Sequence, residues 1–199
     1  LSVQLSDAPL VIIEGDEYLS SPLDLRSKFL WYNPHISILT GIAYDHINVF
    51  PTFEGYIDTF RQFVETHEKD GIYFWYKGDE HLTRLAEGTS VRNNAYTTPL
   101  FEVTDGEATI LFNGKKFPLA VVGQHNLENL EDASLDCEQL GISRETFFAS
   151  AADFTGAGRR MEKIYEHNNQ VVYRDFAHSP SKLAATTKAI KQTYNNDLF

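Results

Sequence analysis

The stretch ISILTGIAYDHINVFPTFEGYIDTFRQFVETHEKDGIYFWY, residues 36–76, decides the fold. It opens on ISIL, a short and mostly apolar run that stops at Thr40-Gly41, and closes on IYFWY, a second run of the same kind. Runs this short, bounded by polar turns, read as strands buried in a parallel sheet. Between them Tyr56, Ile57, Phe60, Phe63 and Val64 recur at helical spacing, and Pro51-Thr52 supplies a helix-start signal. Strand, helix and strand in succession predict an α/β fold, continued by a short helix over residues 79–85. Upstream, LVII at residues 10–13 is a further apolar run and reads as another buried parallel strand, one that delivers Glu14 at its carboxyl end.

After residue 97 the pattern changes. EATILF and KKFPLAVV flank Asn113-Gly114, the strongest short hairpin signal, so residues 97–122 read as two or three antiparallel strands. A helix over 126–140 closes at Gly141, and Ser143 can cap another whose Phe147 and Phe148 face inward. Residues 155–158 (TGAG) are small and Gly-rich and form the candidate domain boundary, dividing the chain into 1–156 and 157–199. Beyond it, 161–165 and 171–176 pair across the polar turn at 167–170. Ser179-Pro180 then starts a helix with Leu183, Ala184, Thr187 and Ile190 on one side. No internal repeat is present.

Composition narrows the function. The 199 residues are 42% apolar, enough for a real core. A net charge of -11 disfavours nucleic acid as a partner, because a phosphate backbone is bound by clustered Lys and Arg. A single nucleotide needs only a few local cations. One cysteine, Cys137, allows no disulfide framework, reads as a small helix-core residue and agrees with a reducing cytoplasm. No apolar stretch approaches the ~20 residues that span a bilayer. The chain begins at Leu1 rather than Met, which agrees with a trimmed polypeptide.

Several polar residues occupy positions where chemistry is expected. Glu14 suits a metal ligand or a solvated loop acid, and His46, in the Asp45-His46 pair after the 36–39 strand, can stand beside it or simply pack. Asn126 and Asn129 in GQHNLEN lie one helical turn apart; their amides can read base edges, or Asn126 can cap the helix. Arg160 follows the candidate boundary, where a guanidinium can neutralise phosphate or make an interdomain ion pair. Asp175 ends VVYR, and His178 lies in the following turn.

In this order and at these spacings the set resembles the Mur ligases, ATP-dependent enzymes that join an acid to an amine in building the peptidoglycan stem peptide. The resemblance covers the chain from about Leu10 to its end. It implies a central ATPase domain, mostly parallel sheet with a small antiparallel sheet, over 1–156, and the start of a Rossmann-like ligase domain over 157–199. It implies ATP and Mg2+ as cofactors. Glu14 and His46 would anchor metal, Asn129 would recognise adenine with Asn126 nearer the phosphates, and Arg160 would contact the γ-phosphate. Asp175 would hold the ribose, with His178 in the adjoining turn. Imidazole is an unusual Mg2+ ligand, so a contact through water is one reading of His46. Family members often carry D-D-[YF]-x-H-H-P or D-Y-A-H-T-P around the ribose acid; here Arg174 precedes Asp175 and Ser179 follows His178. No G-x-x-x-x-G-K-[ST] occurs in the 199 residues, which leads to the expectation of a phosphate loop cut away, left disordered or lost.

The segment SPLDLRSKFLWYNPH, with its D-x-R-S-K-F core at residues 24–29, resembles the tripeptide-recycling branch of the family. So does the absence of a lysine from FEGYIDTFRQF, which holds Arg61. That branch implies L-alanyl-γ-D-glutamyl-meso-diaminopimelate and UDP-N-acetylmuramate as substrates in a bacterial cytoplasm. Addition of L-alanine to UDP-N-acetylmuramate, a non-catalytic nucleotide-binding module, and a metallohydrolase using Glu14, Asp45 and His46 stand as alternatives.

Overall fold

A computed structural model describes residues 6–44, 47–104, 107–158, 160–168, 170–178 and 180–194. Three strands, β1 (Ile36–Leu39), β2 (Ile72–Tyr76) and β3 (Arg92–Tyr96), form a parallel sheet in the order β1-β2-β3, with Ile36 opposite Ile72 and Ile72 opposite Arg92. Side chains alternate across the pleat. Leu39, Tyr73 and Trp75 enter one core, where helices α1 (Phe53–Glu65) and α2 (Glu80–Glu87) bring Tyr56, Phe60, Phe63, Val64, Leu82 and Leu85. Ile72, Phe74 and Tyr96 enter another with Leu135 of α3 (Gln124–Gln139). Covering both faces is what a parallel sheet requires.

The helix starts follow side-chain chemistry. Thr52 accepts from the Gly55 N–H to begin α1, and Asp79 accepts from the His81 and Leu82 N–H groups to begin α2. Each satisfies donors that a helix start leaves without internal partners.

A second, antiparallel sheet contains β4 (Phe101–Thr104), β5 (Glu107–Phe112) and β6 (Lys115–Leu119). Its tight turn is the predicted one: Asn113 at φ 49° and Gly114 at φ 74° supply the two positive angles of a type I′ hairpin. Ala108, Ile110, Phe117 and Leu119 pack against Leu127 and Leu130 of α3 and Phe148 of α4 (Arg144–Ser150). Helix α3 is therefore a shared wall between the sheets. It ends at Gly141 (φ 83°), where the Ile142 N–H bonds back to the Cys137 carbonyl at 2.9 Å, the Schellman pattern. Ser143 caps α4 by accepting from the Thr146 N–H. Strands β7 (Glu162–His167) and β8 (Gln170–Arg174) then form a hairpin, followed by α5 (Pro180–Thr193).

Two expectations are corrected, and one strand is added. Residues 10–13 are irregular and exposed, with Ile12 at 89%; a buried parallel strand needs a hydrogen-bonded neighbour and cover on both faces, and among the described residues this run has neither. Glu14 accordingly does not end a strand. RNNAY, polar and unremarked in the sequence, is β3; it pairs along one side only and exposes Arg92, Asn94 and Ala95. The inward side of α5 carries Ala189 and Thr193, whereas Leu183 is exposed, because this helix approaches Gly123 and only a small side chain fits there.

Candidate functional site

The carboxyl ends of β1, β2 and β3 carry the chain into one polar region. After β1, the backbone N–H of Ile42 bonds to Asp79 Oδ2 at 2.7 Å, while Asp79 Oδ1 caps α2. One carboxylate thus holds the loop that leads towards Asp45 and His46. Tyr44 closes that loop from the other side by donating its hydroxyl to the Phe50 carbonyl. Asp45 and His46 themselves lie outside the described residues.

Tyr76, the last residue of β2, and Thr98, just beyond β3, both donate to Glu128 Oε1, at 2.8 and 2.6 Å. Gln124, the first residue of α3, donates to the same oxygen at 2.8 Å. The start of α3 is thereby set against the sheet edge. Gly123 takes the N-cap position at φ 92°, an angle that L residues seldom adopt. A Cβ there would stand 2.7 Å from Ala189 Cβ and 3.1 Å from His125 Cε1, so glycine is needed for conformation and for space.

Asn126 is not the cap. Its Nδ2 donates to the Val122 carbonyl at 2.7 Å, bracing the turn before the helix and leaving its oxygen for another donor. Asn129 is exposed at the surface one turn later. His125, between Gln124 and Asn126, is half-buried; burial lowers its affinity for a proton, with Asp175 and Glu128 pulling the other way and Arg160 adding to the lowering.

Asp175 is the most heavily bonded of the predicted residues. Its Oδ2 accepts from the Met161 N–H at 2.7 Å, and its Oδ1 from the Ala177 N–H at 2.7 Å and the Thr186 hydroxyl at 3.2 Å. Burial by itself would raise this carboxyl, but those N–H groups, the hydroxyl and the Arg160 charge together hold it below its ordinary value. Arg160 is exposed, with its guanidinium 5.8 Å from the Phe176 ring. His178 is exposed as well, its Nδ1 2.9 Å from the Phe176 carbonyl. Helix α5 links these groups: its Thr186 bonds to Asp175, which also holds the backbone of Met161 next to Arg160, while its Lys188 and Ala189 reach Gln124 and Gly123 at the α3 start.

Glu14 stands apart from this neighbourhood. It is exposed, and Asp16, two residues on, is hydrogen-bonded to the Lys28 ammonium. Among the described residues no three His, Cys, Asp or Glu side chains converge on a point where a metal could sit. His46, the other predicted metal ligand, lies outside the described residues.

His125, Gln124 and Glu128 were not singled out by the sequence reading. His125 had a visible signal, its place inside GQHNLEN; Glu128 and Gln124 had none beyond their position on the same helix.

Polar side chains gather at the carboxyl edge of the parallel sheet of this α/β protein, the edge at which open α/β sheets in general hold ligands. Residues 4–135 match the family model described as the Mur ligase middle domain. The chain belongs to the Mur ligase family. It is 29% identical over 208 aligned residues to the UDP-N-acetylmuramate--L-alanyl-gamma-D-glutamyl-meso-2,6-diaminoheptandioate ligase of Haemophilus influenzae, covering 96% of this chain and 44% of that protein. It is 25% identical over 192 residues to the UDP-N-acetylmuramate--L-alanine ligase of Desulfitobacterium hafniense, covering 91% and 43%. The crystal structure of MurF from Acinetobacter baumannii superposes with a TM-score of 0.71 at 15% identity, over 92% of this chain and 41% of that one, a likeness of fold. The chain spans less than half the length of these relatives. Among the described residues no helix is long and apolar enough to cross a membrane.

Proposed function

We propose that this chain is the nucleotide-binding part of an ATP-dependent amide ligase of peptidoglycan recycling, acting on UDP-N-acetylmuramate and L-alanyl-γ-D-glutamyl-meso-diaminopimelate in the bacterial cytoplasm. The observation that carries the reading is that α5 brings Asp175, and Arg160 beside Met161, to the start of α3 through Thr186, Lys188 and Ala189. A carboxylate for a ribose, a guanidinium and an amide for phosphate and a second amide for a base are groups a purine nucleotide needs. In this reading Asn129 reads adenine, Asn126 lies nearer the phosphates, Asp175 takes the ribose with His178 beside it, and Arg160 attends the γ-phosphate. Residues 1–156 are the central domain and 157–199 begin the next. The second core, which closes on Phe148 and Ala151, supports a boundary at that point.

The reaction has two steps. A muramoyl carboxylate oxygen attacks the γ-phosphorus of ATP, releasing ADP and leaving an acyl phosphate. The peptide amine then attacks the acyl carbon, a tetrahedral intermediate forms, the amine sheds a proton, and phosphate departs. Arg160 is suited to the charge that spreads over the phosphoryl oxygens. Glu14 and His46 are carried as metal anchors by the family resemblance alone.

The D-x-R-S-K-F segment favours the tripeptide as amine. It forms an ordered loop in which Arg26 pairs with Asp24 and stacks 3.7 Å over the Trp31 ring. L-alanine is the second reading, motivated by the Desulfitobacterium hafniense relative. The test is phosphate release by the full reading frame that encodes this chain, with UDP-N-acetylmuramate, ATP and either amine. Tripeptide-dependent release is expected, and Asn129→Ala should raise the ATP concentration required by about tenfold, one lost hydrogen bond to the base. Release that depends on L-alanine alone would replace the first reading with the second. ATP-independent hydrolysis of either compound would end both.

A further inference from the structure

We infer that Glu128 is the positioning residue of the nucleotide-facing turn, locking the start of α3, and with it Asn126 and Asn129, onto the carboxyl edge of the parallel sheet. The inference rests on the reading of those two amides as base and phosphate contacts. Oε1 of Glu128 accepts from Thr98 Oγ1 at 2.6 Å, Tyr76 OH at 2.8 Å and Gln124 Nε2 at 2.8 Å. These donors come from the loop after β3, the end of β2 and the first residue of α3. A solvated glutamate on a helix surface would exchange such partners for water. Here the group is half-buried, and one oxygen gathers three donors from three places.

The α3 start also lacks the usual fixing device, since Gly123 offers no side chain to cap it. Without a cap, the rotation of the helix about its axis is set by what its first turns touch. Side chains on a helix reach about 5–6 Å from the axis, so a rotation of about 20° would swing an Asn amide by about 2 Å. That exceeds the window within which a hydrogen bond to a base edge survives. Gln124 extends the lock further, because its Oε1 accepts from Lys188 Nζ of α5 at 3.4 Å. The helix that follows Asp175 and the helix that carries the asparagines are thus tied through one amide to one carboxylate.

The experiment uses the 199-residue chain with Glu128→Ala, Glu128→Gln, Asn129→Ala and the double variant Glu128→Ala with Asn129→Ala. Amide hydrogen exchange is read along α3, and affinities for ATP, GTP and inorganic triphosphate are measured by titration. In Glu128→Ala the amides of residues 127–130 should exchange about tenfold faster while those near 137–142 keep their rates. The preference for ATP over GTP should fall by about tenfold with triphosphate affinity unchanged, and the double variant should lose no more than the worse single one. Glu128→Gln, which keeps an acceptor oxygen at the same place, should retain most of both properties. Unaltered exchange at 127–130, or losses from Glu128 and Asn129 that multiply, would overturn the inference. A wild-type chain indifferent between ATP and GTP would instead sink the adenine reading, while the exchange measurement would still decide whether Glu128 locks the turn.

Discussion

Asp132 offers a sharp physical test because it is an acid placed where acids rarely go. It is 4% exposed on α3, accepts from the Tyr96 hydroxyl at 3.1 Å and lies close to Asp136 and Glu131. Burial pushes its carboxyl up from 3.8 to about 7; Tyr96 and the Ala133 N–H pull downward, while the neighbouring Asp136 and Glu131 add to the rise. Asp136, also raised by burial, reaches about 6, and its Oδ1 has no partner. Between pH 4 and 7 the unfolded chain therefore releases the Asp132 proton and the folded chain keeps it. The unfolded state binds fewer protons, so stability falls as pH rises across that window and levels off above it. A rise of about three pH units corresponds to at most about 4 kcal/mol. Asp132→Asn removes the titration and keeps an oxygen for Tyr96. Urea unfolding at pH 4.5, 6 and 8 should find variant and wild type within about 1 kcal/mol at the lowest pH, with the variant ahead by about 2–4 kcal/mol at the highest. Comparing the two proteins at each pH cancels the titrating groups that are not coupled to Asp132, leaving Asp132 with its neighbours Asp136 and Glu131. A gap independent of pH, or wild type ahead at pH 8, would show that Asp132 is ionised in the fold and that the burial argument fails.

Gly123→Ala should destabilise the chain by more than about 2 kcal/mol, since the positive φ costs an L residue about 1–2 kcal/mol before any clash. Adding Ala189→Gly should recover the clash with α5 and leave the backbone strain, a partition that thermal melts of the three variants would resolve. Asp175→Ala should leave the Met161 and Ala177 N–H groups without their acceptor and cost about 1–3 kcal/mol at pH 7. Because the Asp175 carboxyl is held below its ordinary value, its contribution is complete above the usual carboxylate range and fades as pH falls through the lowered value. Melts at pH 7 and pH 3 should therefore find the penalty shrinking in acid; an equal penalty at both would mean the charge contributes nothing.

The elements legible in the sequence were those specified by local chemistry. Asn113-Gly114 announces its hairpin because two positive φ angles leave little choice of residue, and Thr52, Asp79 and Ser143 mark helix starts through oxygens that reach back to the chain. The elements that the sequence misstates or leaves unmarked depend on distant neighbours. LVII carries the composition of a buried strand, but burial is a property of what lies alongside, and nothing within four residues encodes that. RNNAY has the composition of a loop, yet its edge position tolerates exposed polar residues, and Asn93 even uses its side chain to accept from Trp75 Nε1 at 2.9 Å. The face of α5 was assigned by size, whereas contact with Gly123 favours the smallest residue. For the site, the residue types of GQHNLEN and YRDFAHSP were visible, and their link through α5 was not, since it depends on how β7, β8 and α5 return to α3.

Asp79 joins two events that are usually separate. The carboxylate that starts α2 also grips the backbone of Ile42, so the helix cannot unwind at its first turn without releasing the loop after β1. For evolution or protein engineering, this means α2 is not an exchangeable surface helix. A transplant that keeps its packing face but replaces the cap with Ser or Thr could still start a helix, having one oxygen where Asp has two. The loop would then be left to find its own position, and a change made on the outside of the domain would be felt at the edge of the sheet.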